Sequence, residues 1–138
     1  MWEQRILKLA QQISTWSKDP SKKVGAIIVR GKNNIISVGY NGLPKGIKDD
    51  NRLKDKEWKL KYILHAEENA LINATSSVEG CTIFCTHTPC SKCSSQIIQY
   101  GINRVIVPKQ SLSHFEKYGH NGINILREAN IEYNEVDI

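Results

Sequence analysis

The sequence predicts an α/β domain built on a mixed five-stranded sheet with helices on both faces. Three observations carry this. An amphipathic stretch opens the chain, two short β-rich runs joined by a tight connection follow it, and helical and strand-like segments alternate from there to the end. The order reads α-β-β-α-β-α-β-α-β. A hairpin gives antiparallel pairing, and later strands separated by helices give parallel pairing through crossovers.

Each element has its own warrant. Trp2, Ile6, Leu9, Ile13 and Trp16 recur at spacings of three and four, which predicts a helix over about 2–17 with that stripe buried. Lys18-Asp19-Pro20-Ser21 breaks it. Val24 to Val29 and Ile35 to Val38 read as strands, and Gly31-Lys32-Asn33-Asn34 reads as the hairpin connection. Gly39 to Asp50 holds three glycines and a proline and reads as an ordered loop. A helix is expected from Glu57 to Ala74, a strand from Thr82 to Thr86, and a helix from Cys90 to Tyr100 that stops at Gly101. Arg104 to Val107 reads as a strand ended by Pro108. Ser113 to Ala129 reads as mostly helix with a break near Gly119 to Gly122, and Ile131 to Val136 as the last strand.

Bulk properties narrow the function classes. The 138 residues suit one domain, 1–138, with a real core and no linker, repeat or low-complexity tract. No run of 18 apolar residues exists, so no membrane span is expected. Met1 to Arg5 lacks the apolar core of a secretion signal, which points to the cytoplasm. The four cysteines then read as thiols or metal ligands rather than disulfides. The formal charge of +5 fits a lysine-rich surface as well as an anionic partner such as a nucleotide. The lysines are dispersed, without the basic run of a nucleic-acid arm, so nucleic acid is not an expected partner.

The chemistry concentrates in two motifs. His65-Ala66-Glu67 is followed by Pro89-Cys90-Ser91-Lys92-Cys93. His65, Cys90 and Cys93 are three zinc ligands, and three leave a fourth position open for water. A water on zinc loses a proton near neutral pH, and Glu67 beside it can move protons. Cys90 and Cys93 are three apart, so on a helix they share a face. Pro89 before them suits a helix start, where free N–H groups stabilise thiolates. His65 and Glu67 are two apart, about 200° around an ideal helix. They can face one point only at a helix end or an irregular turn.

Other readings stand beside this one. Cys90 and Cys93 could be a structural zinc site or a redox pair, Glu67 a surface carboxylate like Glu68, and His65 a satisfied core histidine. Cys81 and Cys85 suggest a four-cysteine site with Cys90 and Cys93. On a strand, however, four residues span about 13 Å, too far for both to reach one ion. They read as small buried apolar residues, and His87 as buried near the site.

At these residues the chain resembles the cytidine deaminase superfamily, and within it the deoxycytidylate (dCMP) deaminases. The H-A-E and P-C-x-x-C pieces mark the superfamily. Lys18-Asp19-Pro20-Ser21, Val24-Gly25-Ala26 and Gly39-Tyr40-Asn41-Gly42-Leu43-Pro44-Lys45-Gly46 point to the dCMP branch. The resemblance runs from about Lys18 to Arg104. It implies the three-layer α/β/α sandwich of that superfamily and a Zn2+ held by His65, Cys90 and Cys93. It further implies hydrolysis of dCMP to dUMP and ammonia, with Glu67 as the proton carrier. The Ala66 N–H would meet the base and Asn41 the sugar, although Asn-Gly is also a common turn. It implies activation by dCTP and inhibition by dTTP through a loop of Tyr40, Asn41, Gly42, Lys45 and Gly46, where glycines admit phosphates and Lys45 supplies charge. It implies a homo-oligomer, a hexamer built from dimers. Some phage relatives carry a second zinc, but no Cys or His precedes His65 here, so one zinc per subunit is expected. His114, Lys117, Tyr118 and His120 are candidates for phosphate contacts, against an ordinary surface role. Alternatives are a deaminase of another base or nucleoside (cytidine, guanine, adenosine in tRNA) or a non-catalytic zinc-stabilised binding module. The retained Glu67 argues against the last.

Overall fold

The computed structural model describes residues 1–109 and 120–138, the side chain of His120 excepted. The elements are α1 (Trp2–Ser14), β1 (Gly25–Arg30), β2 (Asn34–Tyr40), a 3-10 turn (Asn51–Lys54), α2 (Lys56–Tyr62), α3 (Ala66–Asn73), β3 (Thr82–Cys85), α4 (Ser91–Gln99), β4 (Arg104–Pro108), α5 (His120–Glu128) and β5 (Glu132–Val136). The strands form one sheet in the order β2-β1-β3-β4-β5. β1 runs antiparallel to β2 and to β3, while β3, β4 and β5 run parallel. The expected mixed five-stranded sheet is therefore present.

Strand alternation sorts the side chains into two layers. Ala26, Ile28, Ile83, Cys85, Val105 and Val107 point to one face, against Ala66, Ala70 and Leu71 of α3, Ile97 of α4 and Leu126 of α5. Ile27, Val29, Phe84 and Ile106 point to the other, against Ile6, Leu7, Ala10 and Ile13 of α1. Apolar residues on both faces explain why β1 reads as an unbroken apolar run. The result is a three-layer α/β/α sandwich.

Two glycines set the layer spacing. A Cβ at Gly25 would run into the backbone of Ala10 and Ser14, and one at Gly39 into that of Ala66, Asn69 and Ala70. β1 is thus pressed onto α1, and β2 onto the start of α3.

Three expectations need correction. α1 ends at Ser14, not near residue 17, and its buried face is Ile6, Leu7, Ala10 and Ile13. Leu9 and Trp16 are 41% and 53% exposed. The close contact of Ala10 with Gly25 turns the helix away from the expected stripe, and Trp16 lies beyond the last turn. The expected helix from Glu57 to Ala74 is two helices. Ile63 and His65 are extended, and Leu64 forms a two-way backbone bridge with Gly42, at 3.0 and 2.8 Å. Finally, Glu68 is not a surface carboxylate, for reasons that belong to the site. Of the expected helix over Ser113 to Ala129, His120 to Glu128 is α5, which runs without a break through Asn121 and Gly122; Ala129 is a turn, and 113–119 lie outside the described residues.

Candidate active site

The break between α2 and α3 does the positioning. His65 is the N-cap of α3, with ψ 159°, so it and Glu67 are not separated by the 200° of a continuous helix. Its backbone N–H donates to Glu68 Oε1 at 3.0 Å, and Glu68 Oε2 accepts from Gln96 Nε2 of α4 at 3.2 Å. Glu68 therefore clasps the start of α3 to the helix that follows Cys90. Its signal in the sequence was a glutamate three residues after an N-cap, the second half of a capping box.

The cysteines arrive on a second helix start. Cys90 is the N-cap of α4, and its sulfur accepts from the Cys93 N–H at 3.4 Å. His65 Nδ1 lies 3.5 Å from Cys90 Sγ and 3.2 Å from Cys93 Sγ. All three ligand atoms fall within 4.8 Å of one another. A tetrahedral zinc with bonds near 2.3 Å to sulfur and 2.0 Å to nitrogen requires N···S separations of about 3.5 Å. The donor set and its spacing fit that ion. Among the described residues the cluster consists of these three side chains, and three protein ligands are the number typical of catalytic rather than structural zinc.

Glu67 is buried at 4% exposure, and burial pushes its carboxyl up to about 7. Its own backbone N–H and His65 oppose that rise, while the charge of Cys90 adds to it. In the absence of metal the thiols share a proton unequally. The Cys93 thiol holds Cys90 down at about 3, with His65 and the Cys93 N–H adding to this. Cys93, bonded to that sulfur and buried, is pushed up. The same Cys90 sulfur holds His65 above its usual value, against burial. Without a metal, one sulfur of the pair is thus favoured as thiolate and the other as thiol.

The loop before Cys90 is held from two sides. Thr88 Oγ1 and the Tyr133 hydroxyl of β5 are 2.9 Å apart, and the Ser94 hydroxyl donates to the Pro89 carbonyl at 3.5 Å. A Cβ on Gly122 of α5 would collide with that carbonyl and meet Ser94 Oγ at 2.9 Å.

The remaining candidates fall into place around this centre. Ala66 is fully buried in the first turn of α3, where N–H groups lack intrahelical partners. Asn41 is buried, and loop backbone takes its amide: Oδ1 accepts from Val24 N–H at 2.9 Å and Nδ2 donates to Lys22 O at 2.8 Å. The Gly42 N–H is engaged by Leu64. Gly46 has φ +86° with open space around it, and Lys45 is exposed. Tyr40 meets Trp16 edge-on at 6.0 Å. Cys81 and Cys85 are buried thiols apart from the cluster, and burial pushes Cys85 well up. His87 is half-buried, with Nδ1 2.9 Å from Thr86 Oγ1. His114, Lys117 and Tyr118 lie outside the described residues, as does the side chain of His120. Sequence reading missed Glu68, Gln96 and Tyr133, whose roles come from long-range partners.

A three-layer sandwich with a His-Cys-Cys centre at two helix starts, and a buried glutamate beside it, defines a zinc-dependent hydrolytic class. The family model for the cytidine and deoxycytidylate deaminase zinc-binding region matches residues 1–109, and the chain belongs to that family. An uncharacterized deaminase encoded in the luxG 3' region of Aliivibrio fischeri is 43% identical over 118 residues, 86% of this chain and 80% of that protein. The deoxycytidylate deaminase of Homo sapiens is 39% identical over 115 residues, covering 76% of this chain and 63% of that protein. The dCMP deaminase of cyanophage S-TIM5, solved in complex with dCMP and dUMP, superposes with a TM-score of 0.80 at 30% identity, covering 97% of this chain and 96% of that one. Zinc is the cofactor this family and this donor set share. Among the described residues no helix is long and apolar enough to cross a membrane.

Proposed function

We propose that this chain, as one domain over 1–138, hydrolyses dCMP to dUMP and ammonia. The observation that carries the reading is the buried Glu67 beside a three-ligand site. His65 Nδ1, Cys90 Sγ and Cys93 Sγ would hold zinc. Bound there, the ion supplies Lewis acidity that makes water a nucleophile near neutral pH. Glu67 takes a proton from the attacking water and gives it to ring N3 as the C4–O bond forms. It then carries the second proton to the amino group, which leaves as ammonia when the C4–N bond breaks. A carboxyl that burial raises above the usual carboxylate range holds a proton more readily than an exposed one, which suits a group that must both take and give it. The Ala66 N–H would face the base and Asn41 the sugar. The choice of dCMP over cytidine, guanine or tRNA adenosine rests on the similarity to deoxycytidylate deaminases across most of the chain.

Regulation belongs to the same proposal: dCTP activates and dTTP inhibits through Tyr40, Asn41, Gly42, Lys45 and Gly46. Open space at Gly46 and the exposed Lys45 support this. Gly42 would contribute close approach rather than a backbone donor. A hexamer belongs to the proposal by similarity to the deoxycytidylate deaminases, and the exposed Trp16, Leu60, Tyr62, Ile72 and Tyr100 are apolar surface that subunit contacts could cover. The cytoplasm suits four cysteines that are free thiols or ligands.

The test is ammonia release from dCMP by zinc-loaded wild type and Glu67→Gln. The variant should keep its zinc and lose turnover by at least about a hundredfold. Zinc-loaded wild type that turns over no dCMP would overturn the reading. So would a fully active variant.

A further inference from the structure

Lys59 of α2 and Asp19 form a buried ion pair, Nζ to Oδ1 at 3.0 Å, with the side chains only 9% and 4% exposed. Removing two charges from water is costly, and a buried pair often stabilises no better than apolar residues of the same volume. Its geometry is more informative than its energy. Asp19 Oδ1 also accepts the N–H groups of Ser21 at 2.8 Å and Lys22 at 3.3 Å. Ser17 Oγ accepts the Asp19 N–H at 3.2 Å and donates to the Asn41 carbonyl at 2.8 Å. Lys22 O and Val24 N–H hold both ends of the Asn41 amide. The loop from Ser17 to Val24 is thus wound on the Asp19 carboxylate and closed around Asn41.

Lys59 fastens this knot to the metal ligands. It lies six residues before His65 on α2, and between them Leu64 is bridged to Gly42, the residue after Asn41. The segment leading into His65 therefore grips the Asn41 loop twice, once by charge through Asp19 and once by backbone through Gly42. Sliding either segment breaks both grips.

We infer that Lys59 is a positioning residue whose ion pair with Asp19 fixes Asn41, and with it the nucleotide, at a set distance from His65. This rests on the substrate reading proposed above. Lys59 touches no reacting atom. It acts through Asp19 and the loop backbone.

The test compares full-length, zinc-loaded wild type, Lys59→Met, Lys59→Arg and Asp19→Asn. Zinc content, dCMP kinetics, dUMP dissociation constants and amide exchange at Val24 are measured for each. Lys59→Met should keep one zinc per chain and raise both KM for dCMP and the dUMP dissociation constant about tenfold or more. It should lower kcat less than about threefold and speed Val24 exchange about tenfold. Lys59→Arg should restore most of this. Asp19→Asn should reproduce the Met variant, and it decides the question if that variant does not fold. A folded variant with unchanged KM, dUMP binding and Val24 exchange overturns the inference while leaving the deaminase reading intact. Wild type that neither turns over dCMP nor binds dUMP overturns both. Equal loss in kcat alone would mark Lys59 as merely structural and overturn the inference.

Discussion

A methyl group added at Gly39 would collide with the backbone of Ala66 and Ala70 and meet Asn69 C at 2.9 Å. Backbone cannot step aside as a side chain can. Gly39→Ala is expected to destabilise the protein by about 1–3 kcal/mol and to weaken zinc retention, because Ala66 adjoins His65. Urea unfolding and a chelator titration check the two effects, and an unchanged unfolding midpoint would count against the contact. Glu67 gives the second prediction at this scale. In metal-free protein its folded value of about 7 lies above the unfolded 4.5. The stability tied to its neutral form is complete below pH 4.5 and is lost as pH rises through 7. At about 1.4 kcal/mol per pH unit, the loss reaches on the order of 3 kcal/mol. Metal-free Glu67→Gln has no such loss. It should be less pH-sensitive than wild type and the more stable of the two at pH 8. Parallel unfolding profiles for the two proteins between pH 5 and pH 8 would refute the buried-anion account.

At the scale of elements, the contact of α5 with the loop before Cys90 sets two preferences against each other. Alanine is the better helix former by about 1 kcal/mol, so Gly122→Ala would strengthen α5 in isolation. In the fold its Cβ would push into the Pro89 carbonyl and displace Cys90. We expect zinc affinity to fall by about tenfold or more, as for other supports of metal ligands, measured by chelator competition. Unaltered affinity would show that α5 does not hold the site. Much of this architecture was legible in the sequence. Strand periods, the hairpin and Gly101, which sits at φ +84°, are local signals. That His65 and Glu67 need a helix end or an irregular turn was legible from their spacing, and His65 is indeed an N-cap. The full interruption between two helices was not, because Trp58 to Leu71 carries a continuous helical pattern. What breaks it is the bridge to Gly42, more than twenty residues upstream. The face of α1 was misread for a related reason. Its orientation is decided by a glycine on another strand.

For the whole molecule, metal and fold are separable. Both apolar layers are built without the ligand cluster, since neither includes His65, Glu67, Cys90 or Cys93. Chelation should therefore leave far-ultraviolet dichroism nearly intact while lowering Tm by several degrees. Elemental analysis should return one zinc per chain, because the described residues hold a single His/Cys cluster. Two would require ligands from outside it. Collapse of secondary structure on chelation would mean that the ion organises the fold as well as the site. The ligand triad was legible from spacing alone, since few functions need H-x-E and P-C-x-x-C together. Its supports were not, because Glu68, Thr88 and Lys59 acquire meaning only from distant partners.

The sheet order has a consequence for the chain's synthesis. β1 sits between β2 and β3, and Val29 pairs with Thr82. The hairpin can close soon after leaving the ribosome, but its other edge finds no partner until about fifty residues later. At 5–20 residues per second that is about 3–10 s during which the apolar run Ala26 to Val29 offers an unpaired edge to any neighbouring nascent chain. The burden of keeping this protein from aggregating falls in that interval, and on the holdase chaperones that shield such edges.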